Sequence, residues 1–222
     1  MMGGCLRSIG CLVLLVVLGA AAWLFRGEWE PAVRRIATGA PSLADQSAAH
    51  WEPVTAQGSS RAHDAIDRLG AKSGPVFANV APGDLAGYVF DALAKQLPPS
   101  ASNVEAAAIG EQLAIRADVR LADFGGPASF GPVAGMLSDR EPIQFTGTLA
   151  ITQPGLAEFR VTSVRIKDLA VPSAMIPSIL QRMGHVTRPA GTSPNGLPFA
   201  VPRYIADVRV HDGKITLYKT VP

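Results

Sequence analysis

The sequence predicts an α+β protein in which an N-terminal transmembrane helix precedes a curved antiparallel sheet packed on one or two amphipathic helices. Three observations predict this class. An uncharged apolar segment runs from Ser8 to Phe25. After Pro82, apolar residues recur at helical steps. Farther along, apolar and polar residues alternate over several stretches, which is typical of half-buried antiparallel strands.

Length and composition favour one folded domain behind the apolar segment. The chain has 222 residues, of which 48% are apolar and 17% charged, far from the composition of a disordered protein. We expect three parts: an anchor over residues 1–26, a juxtamembrane spacer with helices over 27–75, and an α+β domain with the curved sheet over 76–222.

Charge and cysteine content exclude several classes of function. The chain has 20 Lys and Arg against 18 Asp and Glu, and Arg7 and Arg26 flank the apolar segment, so the remainder is neutral. A neutral domain lacks the electrostatic attraction that dominates nucleic-acid binding. Cys5 and Cys11 are the only cysteines, which excludes a disulfide framework or a cysteine zinc site in the domain.

The apolar segment has three interpretations. As a helix it would be about 27 Å long, close to the thickness of a bilayer's hydrocarbon core. Trp23 and Trp29 suit the membrane interface, which favours a single-pass anchor. Ala20–Ala22 would suit a cleaved signal peptide. A buried core helix is the third interpretation, disfavoured because the segment has no polar face.

The flanking charges bear on which side of the membrane the C-terminal domain occupies. Arg26, Arg34 and Arg35 follow the segment while Arg7 precedes it, a count that leans towards a cytoplasmic domain. Long domains cross membranes largely regardless of charge. We therefore expect a single-pass membrane protein whose C-terminal domain is extracytoplasmic.

Two amphipathic helices are expected before the strands. Residues 59–69 have apolar side chains on one side and end at Gly70, a common helix terminator. The second helix begins at Pro82, which suits the first helical position, and its apolar stripe should lie on a sheet. The stripe consists of Leu85, Val89, Leu93 and Leu97.

Seven strands are expected. They cover residues 76–80, 103–109, 113–121, 143–152, 159–166, 204–210 and 214–220. The alternation slips by one residue between Thr162 and Ser163, which predicts a β-bulge. Residues 122–138 are rich in Gly and Pro and predict an ordered loop, with a helical turn at 133–137.

A short apolar helix near the C-terminus is the candidate ligand-binding element. Pro172 and Pro177 predict a break near Met175. Its stripe either fills the core or borders a cavity for an apolar ligand, since methionines form adaptable walls. In the second case residues 184–202, too rich in Gly and Pro for a regular element, would form a lid. The candidate residues are Met175, Ile176, Ile179, Leu180 and Met183 on the helix, with Leu197 and Phe199 in the lid.

No motif with a known catalytic mechanism is present. The segment around Ser129 resembles a nucleophile elbow only in composition, and phosphate-binding and dinucleotide-binding motifs are absent. His63 and Asp67 lie one helical turn apart, but two ligands do not make a metal site. His211 and Asp212 suit a tight turn. We expect no enzyme, no metal and no cofactor.

Three segments resemble two groups of bacterial envelope proteins. They are Pro82–Leu85, the strand 164–169 leading into Val171–Ile176, and Val208–Ile215. With the anchor, their order is similar to that of single-pass YpmS-like proteins of unknown function and of tubular lipid-binding (TULIP-like) and AsmA-like proteins. The resemblance implies an extracytoplasmic sheet curled around a helix, an apolar interior suited to an acyl chain, and no catalytic residues.

These observations support three functions. The first is non-catalytic binding of a membrane lipid or another long apolar molecule. The second is a structural or regulatory role through an envelope protein partner, with a solid core. The third is an enzyme without a recognisable motif.

Overall fold

A computed structural model describes residues 49–93, 100–126, 134–182, 189, 191–211 and 213–220. All of them belong to one compact unit that spans Leu43–Pro222. No helix in these ranges is long and apolar enough to cross a membrane. The expected anchor and residues 27–48 of the expected spacer lie outside the described residues.

Three α-helices and ten strands make up the described part. In chain order they are β1 (Glu52–Pro53), α1 (Ala56–Gly70), β2 (Phe77–Val80), α2 (Pro82–Leu93), β3 (Ser102–Ile109), β4 (Gln112–Arg120), β5 (Arg140–Gln153), β6 (Leu156–Ile166), β7 (Leu169–Ala170), α3 (Ile176–Arg182), β8 (Gly196–Ala200), β9 (Ile205–His211) and β10 (Lys214–Lys219). Short 3-10 helices cover Leu121–Phe124 and Ser173–Met175.

The strands form two antiparallel sheets. The first has the order β1-β3-β4-β5-β6-β7, with β8 pairing β6 beside β7, and the second has the order β2-β10-β9. Each pairing is antiparallel. The expectation of an α+β fold with antiparallel sheet structure and few helices is confirmed.

Helix α1 begins one turn earlier than expected because Thr55 caps it. The Thr55 hydroxyl accepts a hydrogen bond of 3.0 Å from the Gly58 N–H, one of the donors that a helix start leaves unpaired. At its other end Gly70 is required by packing, since a Cβ there would lie 2.5 Å from the Tyr204 ring. The Tyr204 hydroxyl donates to the Ile66 carbonyl at 3.0 Å.

Helix α2 packs against α1, β1 and β3. Two features bring the helices together. A Cβ on Gly87 would lie 3.1 Å from that of Ser59, so glycine permits the close approach. Arg61 donates two hydrogen bonds to the Asp84 carboxylate, at 2.9 Å and 2.5 Å. The apolar stripe of α2 is buried as expected at Leu85 and Val89, and Leu97 lies outside the described residues.

The expected bulge in β6 is confirmed. Thr146 of β5 pairs with Ser163 and the next residue, Gly147, pairs with Val161, so Thr162 is the extra residue. The Thr162 hydroxyl donates to the Thr146 carbonyl at 3.0 Å, which holds the bulge in place. Bulges bend a strand and increase its twist.

The break expected near Met175 is also confirmed. The 3-10 helix ends at Met175 and α3 starts at Ile176. Pro177 is the second residue of α3, where its missing N–H has no intrahelical acceptor to lose.

The expectation that residues 184–202 contain no regular element is wrong. Gly196–Ala200 is the strand β8, paired with β6 from Leu156 to Arg160. Proline is tolerated in β8 because, among the described residues, the strand has a neighbour on one side only. Burial of apolar side chains on both sides of Pro198 outweighs the weak strand propensity of the segment.

Gly147 should tolerate no side chain. A Cβ there would overlap the carbonyl oxygen of Arg160 and lie 2.8 Å from its carbonyl carbon. We expect Gly147→Ala to lower the free energy of unfolding by about 2 kcal/mol or more, because backbone must move. Urea denaturation measures this, and Gly135→Ala is the control because nothing lies within 4 Å of its Cβ position. Equal effects of the two substitutions would contradict the bulge geometry.

Candidate functional site

Side chains fill the interior between α1, α2 and the sheets almost completely. One cavity of about 20 Å³ lies between α1, α2 and the sheets, which is room for roughly one water molecule. Sites for small-molecule ligands measure about 300–1,000 Å³. The cavity lining is Ile66, Leu85, Tyr88, Leu149, Ala157, Phe199, Val201, Ile205, Val208 and Leu217.

The residues of the candidate ligand-binding helix lie in the core. Ile176, Ile179 and Leu180 of α3 are buried, and Met175 is half-buried against the same core. Met183 lies outside the described residues. Helix α3 packs on β6 and on the 3-10 helix Leu121–Phe124, and its residues line neither the small cavity nor the groove.

The lid expected around Leu197 and Phe199 is a strand instead. Both side chains are buried from β8, and Phe199 borders the small cavity. A strand paired along five residues with β6 is held by the sheet ladder, so it does not act as a loop that opens over a ligand.

A surface groove of ligand size lies where the two sheets meet. Its volume is about 770 Å³, within the range of binding sites in proteins. We call it the intersheet groove. Its lining residues are Glu111, Thr148, Leu149, Val208, Arg209, Val210, His211, Lys214, Thr216 and Tyr218.

Unequal strand lengths create this groove. Strand β5 has 14 residues, but β4 pairs with it only from Arg140 to Gly147. From Thr148 to Gln153 the β5 edge that faces away from β6 has no strand partner among the described residues. Strand β9 packs against β5, and Thr148 and Leu149 of β5 line the groove together with β9. The groove therefore lies between an edge of the first sheet and an edge of the second.

Cationic side chains of the second sheet line the groove. Arg209 donates to the Asp207 carboxylate at 2.8 Å, and this hydrogen bond raises the pKa of Arg209. Its guanidinium also lies 5.1 Å from the centre of the Tyr218 ring. Lys214, at the hairpin turn, is exposed. Glu111, in the turn between β3 and β4, is the one carboxylate among the lining residues that the structure describes.

An exposed aromatic surface adjoins the groove. The Phe77 ring lies 6.2 Å from that of Tyr218, and Phe77 is 49% exposed. The neighbouring Val76 is also exposed. Large exposed apolar side chains beside a polar rim are typical of surfaces that bind other proteins.

A serine, a histidine and an aspartate also meet between α1 and α2, but not as a catalytic triad. In a triad the histidine accepts the serine proton and the aspartate orients the histidine. Here the Ser59 hydroxyl donates directly to Asp91, and His63 Nδ1 lies 2.9 Å from the Ser59 carbonyl oxygen. Ser59 is only 4% exposed. The cluster holds two helices together rather than presenting a nucleophile.

The described ranges contain no group of three His, Cys, Asp or Glu side chains placed to hold a metal ion. In these ranges His63 and Asp67, one helical turn apart, are not part of such a group. The ring of His63 instead packs on that of Tyr88, with centroids 4.7 Å apart.

Glu158 is a buried carboxylate that sequence reasoning did not single out. It is 0% exposed and accepts a hydrogen bond of 3.3 Å from the Ser193 N–H. Arg160 lies 3.3 Å from its other oxygen. A Cβ on Gly196 would overlap this carboxylate, so glycine is needed there. Glu158 thus ties the segment before β8 to β6.

Removing the Glu158 carboxylate should destabilise the fold. We expect Glu158→Ala to lower the free energy of unfolding by about 1–3 kcal/mol, because the Ser193 N–H loses its acceptor. Amide exchange at Ser193 and Gly196 should accelerate. The control is Glu105→Ala, which breaks a half-buried pair with Arg116 and should cost at most about 1 kcal/mol. If amide exchange at Ser193 were unchanged in Glu158→Ala, Glu158 would not be what holds this segment to β6.

Burial raises the pKa of Tyr88, and the nearby Tyr204 and Asp67 raise it further by smaller amounts. The folded protein therefore keeps this proton after the unfolded chain has lost it. Stability from Tyr88 is fully present below the ordinary tyrosine pKa of about 10 and declines as pH rises through the folded value. We expect Tyr88→Phe to flatten the alkaline decline in the free energy of unfolding. If the free energy of unfolding fell equally steeply above pH 10 in both proteins, this prediction would be wrong.

Comparison of the chain with protein-family models, with curated proteins and with solved structures finds no match. The resemblance to YpmS-like, TULIP-like and AsmA-like proteins stays a prediction.

Proposed function

We propose that this chain is a non-catalytic binding domain, held at the membrane on its extracytoplasmic side, that recognises a protein partner through the intersheet groove. The choice of the groove as the binding site rests on one observation. The groove measures about 770 Å³, while the adjoining interior cavity measures about 20 Å³. The exposed Phe77 beside the groove supports a protein as the partner.

The membrane part of the proposal rests on the sequence. The uncharged segment Ser8–Phe25 is long enough to span a bilayer. The finer fold prediction, a transmembrane helix followed by a sheet that curves around helices, belongs to the same proposal. The bulge at Thr162 supports it because bulges bend strands.

A lipid or another long apolar molecule is the second candidate ligand. Leu149 and Val208 line both the intersheet groove and the small interior cavity. If these two side chains moved apart, an acyl chain could pass from the groove into the core while Arg209 or Lys214 held an anionic headgroup. The small volume of the cavity makes this candidate the weaker one, because the core would have to expand.

Filling the groove should abolish partner binding. The full chain in detergent micelles is used to select binders from a library of random decapeptides. We expect Thr148→Trp and Lys214→Trp to weaken the selected peptides at least about tenfold, because indole rings would occupy the groove. Ser60→Trp, on the exposed side of α1, is the matched control and should bind normally.

Two results would contradict this proposal. The first is that selected peptides bind both groove variants as tightly as the unmodified chain, which would place their site elsewhere. The second is that the delipidated chain selects no peptide but takes up fluorescent fatty acid, with uptake lost in the same variants. That second result would establish the lipid candidate instead.

A further inference from the structure

The outward edge of β9 lines the intersheet groove. Side chains of successive strand residues point to opposite faces of a sheet, yet the consecutive residues Val208, Arg209, Val210 and His211 all line the groove, as do Thr148 and Leu149 of β5. Lys214, Thr216 and Tyr218, alternate residues of β10, line the same groove from the outer face of the sheet. The groove therefore extends from that face to the outward backbone edge of β9. Among the described residues β9 pairs with β10 alone, so this edge has no strand partner.

The edge presents backbone donors and acceptors to the groove. In an antiparallel pair, alternate residues direct their N–H and C=O groups away from the partner strand. The Val208 N–H donates to its neighbour's side chain, Asp207 Oδ1, at 2.9 Å, which shows that this donor points away from β10. Val210, two residues on, has the same orientation. Because Asp207 occupies the Val208 donor, the peptide groups of Val210 are the first that an incoming strand meets.

We propose that the partner binds as an extended segment that alternates acidic and apolar residues and adds to β9 as a fourth strand of the second sheet. This inference rests on the proposed function. Main-chain hydrogen bonds to β9 would give affinity, and alternate side chains would give specificity. The β5 edge from Thr148 onward bounds the groove on its other side.

The side chains of β9 specify the alternation. Val208 and Val210 pair with Leu217 and Ile215 of β10 and share the inner, apolar face of the sheet. Arg209 pairs with Thr216 on the outer face. Side chains of adjacent strands that share a face lie next to each other. An added strand therefore places apolar residues beside the valines and its alternate residues beside Arg209.

Charge complementarity makes those alternate residues acidic. Among the described lining residues, Arg209 and Lys214 are the two permanent cations, and Glu111 is the one carboxylate. Strand addition also brings acidic side chains close to Arg209, whose present partner is the neighbouring Asp207. An incoming carboxylate can replace or share that pairing. Cross-strand pairs of opposite charge stabilise a sheet by about 0.2–1 kcal/mol each.

The probe for this proposal is a capped, fluorescently labelled decapeptide of five Glu-Val repeats, and its binding to the full chain in detergent micelles is measured by anisotropy. Two analogues carry N-methyl groups on alternate residues, one on the glutamates and one on the valines. Methylation removes the backbone donors of one edge of the peptide. We expect one analogue to bind at least about tenfold more weakly than the other, because only one edge of the peptide pairs with β9.

Charge reversal tests the acidic character of the partner. We expect Lys214→Glu to weaken the Glu-Val peptide about tenfold and to strengthen a Lys-Val decapeptide. Lys72→Glu makes the same change of net charge at an exposed position outside the groove and should alter neither affinity. Equal effects of the two reversals would overturn the assignment of the charged face.

The outcomes separate this inference from the proposed function. If Thr148→Trp abolishes peptide binding but both N-methylated analogues bind like the parent, the groove is the site and strand addition is wrong. If Thr148→Trp has no effect, both proposals fail. Binding of phosphatidylglycerol vesicles through Lys214 and Arg209, with no peptide binding, would overturn strand addition in favour of an anionic lipid surface.

Discussion

The site depends on the mismatch in length between β4 and β5. Strand β5 has 14 residues, and its pairing with β4 ends at Gly147. At the same residue the bulge in β6 changes the register on the other side of β5. Gly147 is therefore the last residue of β5 that pairs with β4. Among the described residues, the remainder of β5 has no strand partner on this side, and its Thr148 and Leu149 line the groove with β9.

The apolar stripe of α3 packs into the core, which is one of the two roles that its sequence allows. A methionine-bearing helix beside a bulged strand is compatible with a ligand cavity, yet α3 is buried against β6 and the cavity next to Phe199 holds about 20 Å³. Packing at the density of an organic crystal leaves no ligand-sized void there. The proposed binding site is therefore on the surface, where strand edges and charged side chains meet.

Buried polar contacts hold the parts of the fold that the apolar core alone would leave free. Ser59 and Asp91 join α1 to α2, and Glu158 joins β6 to the segment that leads into β8. Each contact links residues distant in sequence, and each occurs beside a glycine, Gly87 or Gly196, that lets backbone approach closely. A buried polar group is costly unless it is paired, so these contacts favour one arrangement of the elements over its alternatives.

The sequence by itself determined the local elements: the stripe on α2, the break before Ile176, and the bulge at Thr162 are each encoded by residues within a few positions of one another. Tertiary structure decided what short-range patterns cannot encode. Strand β8 contains Pro198 and forms because β6 pairs with it and the core buries its side chains. The groove joins Thr148 to Arg209, residues far apart in the chain. Periodicity reports which face of an element is buried, but not which distant edge will lie opposite it.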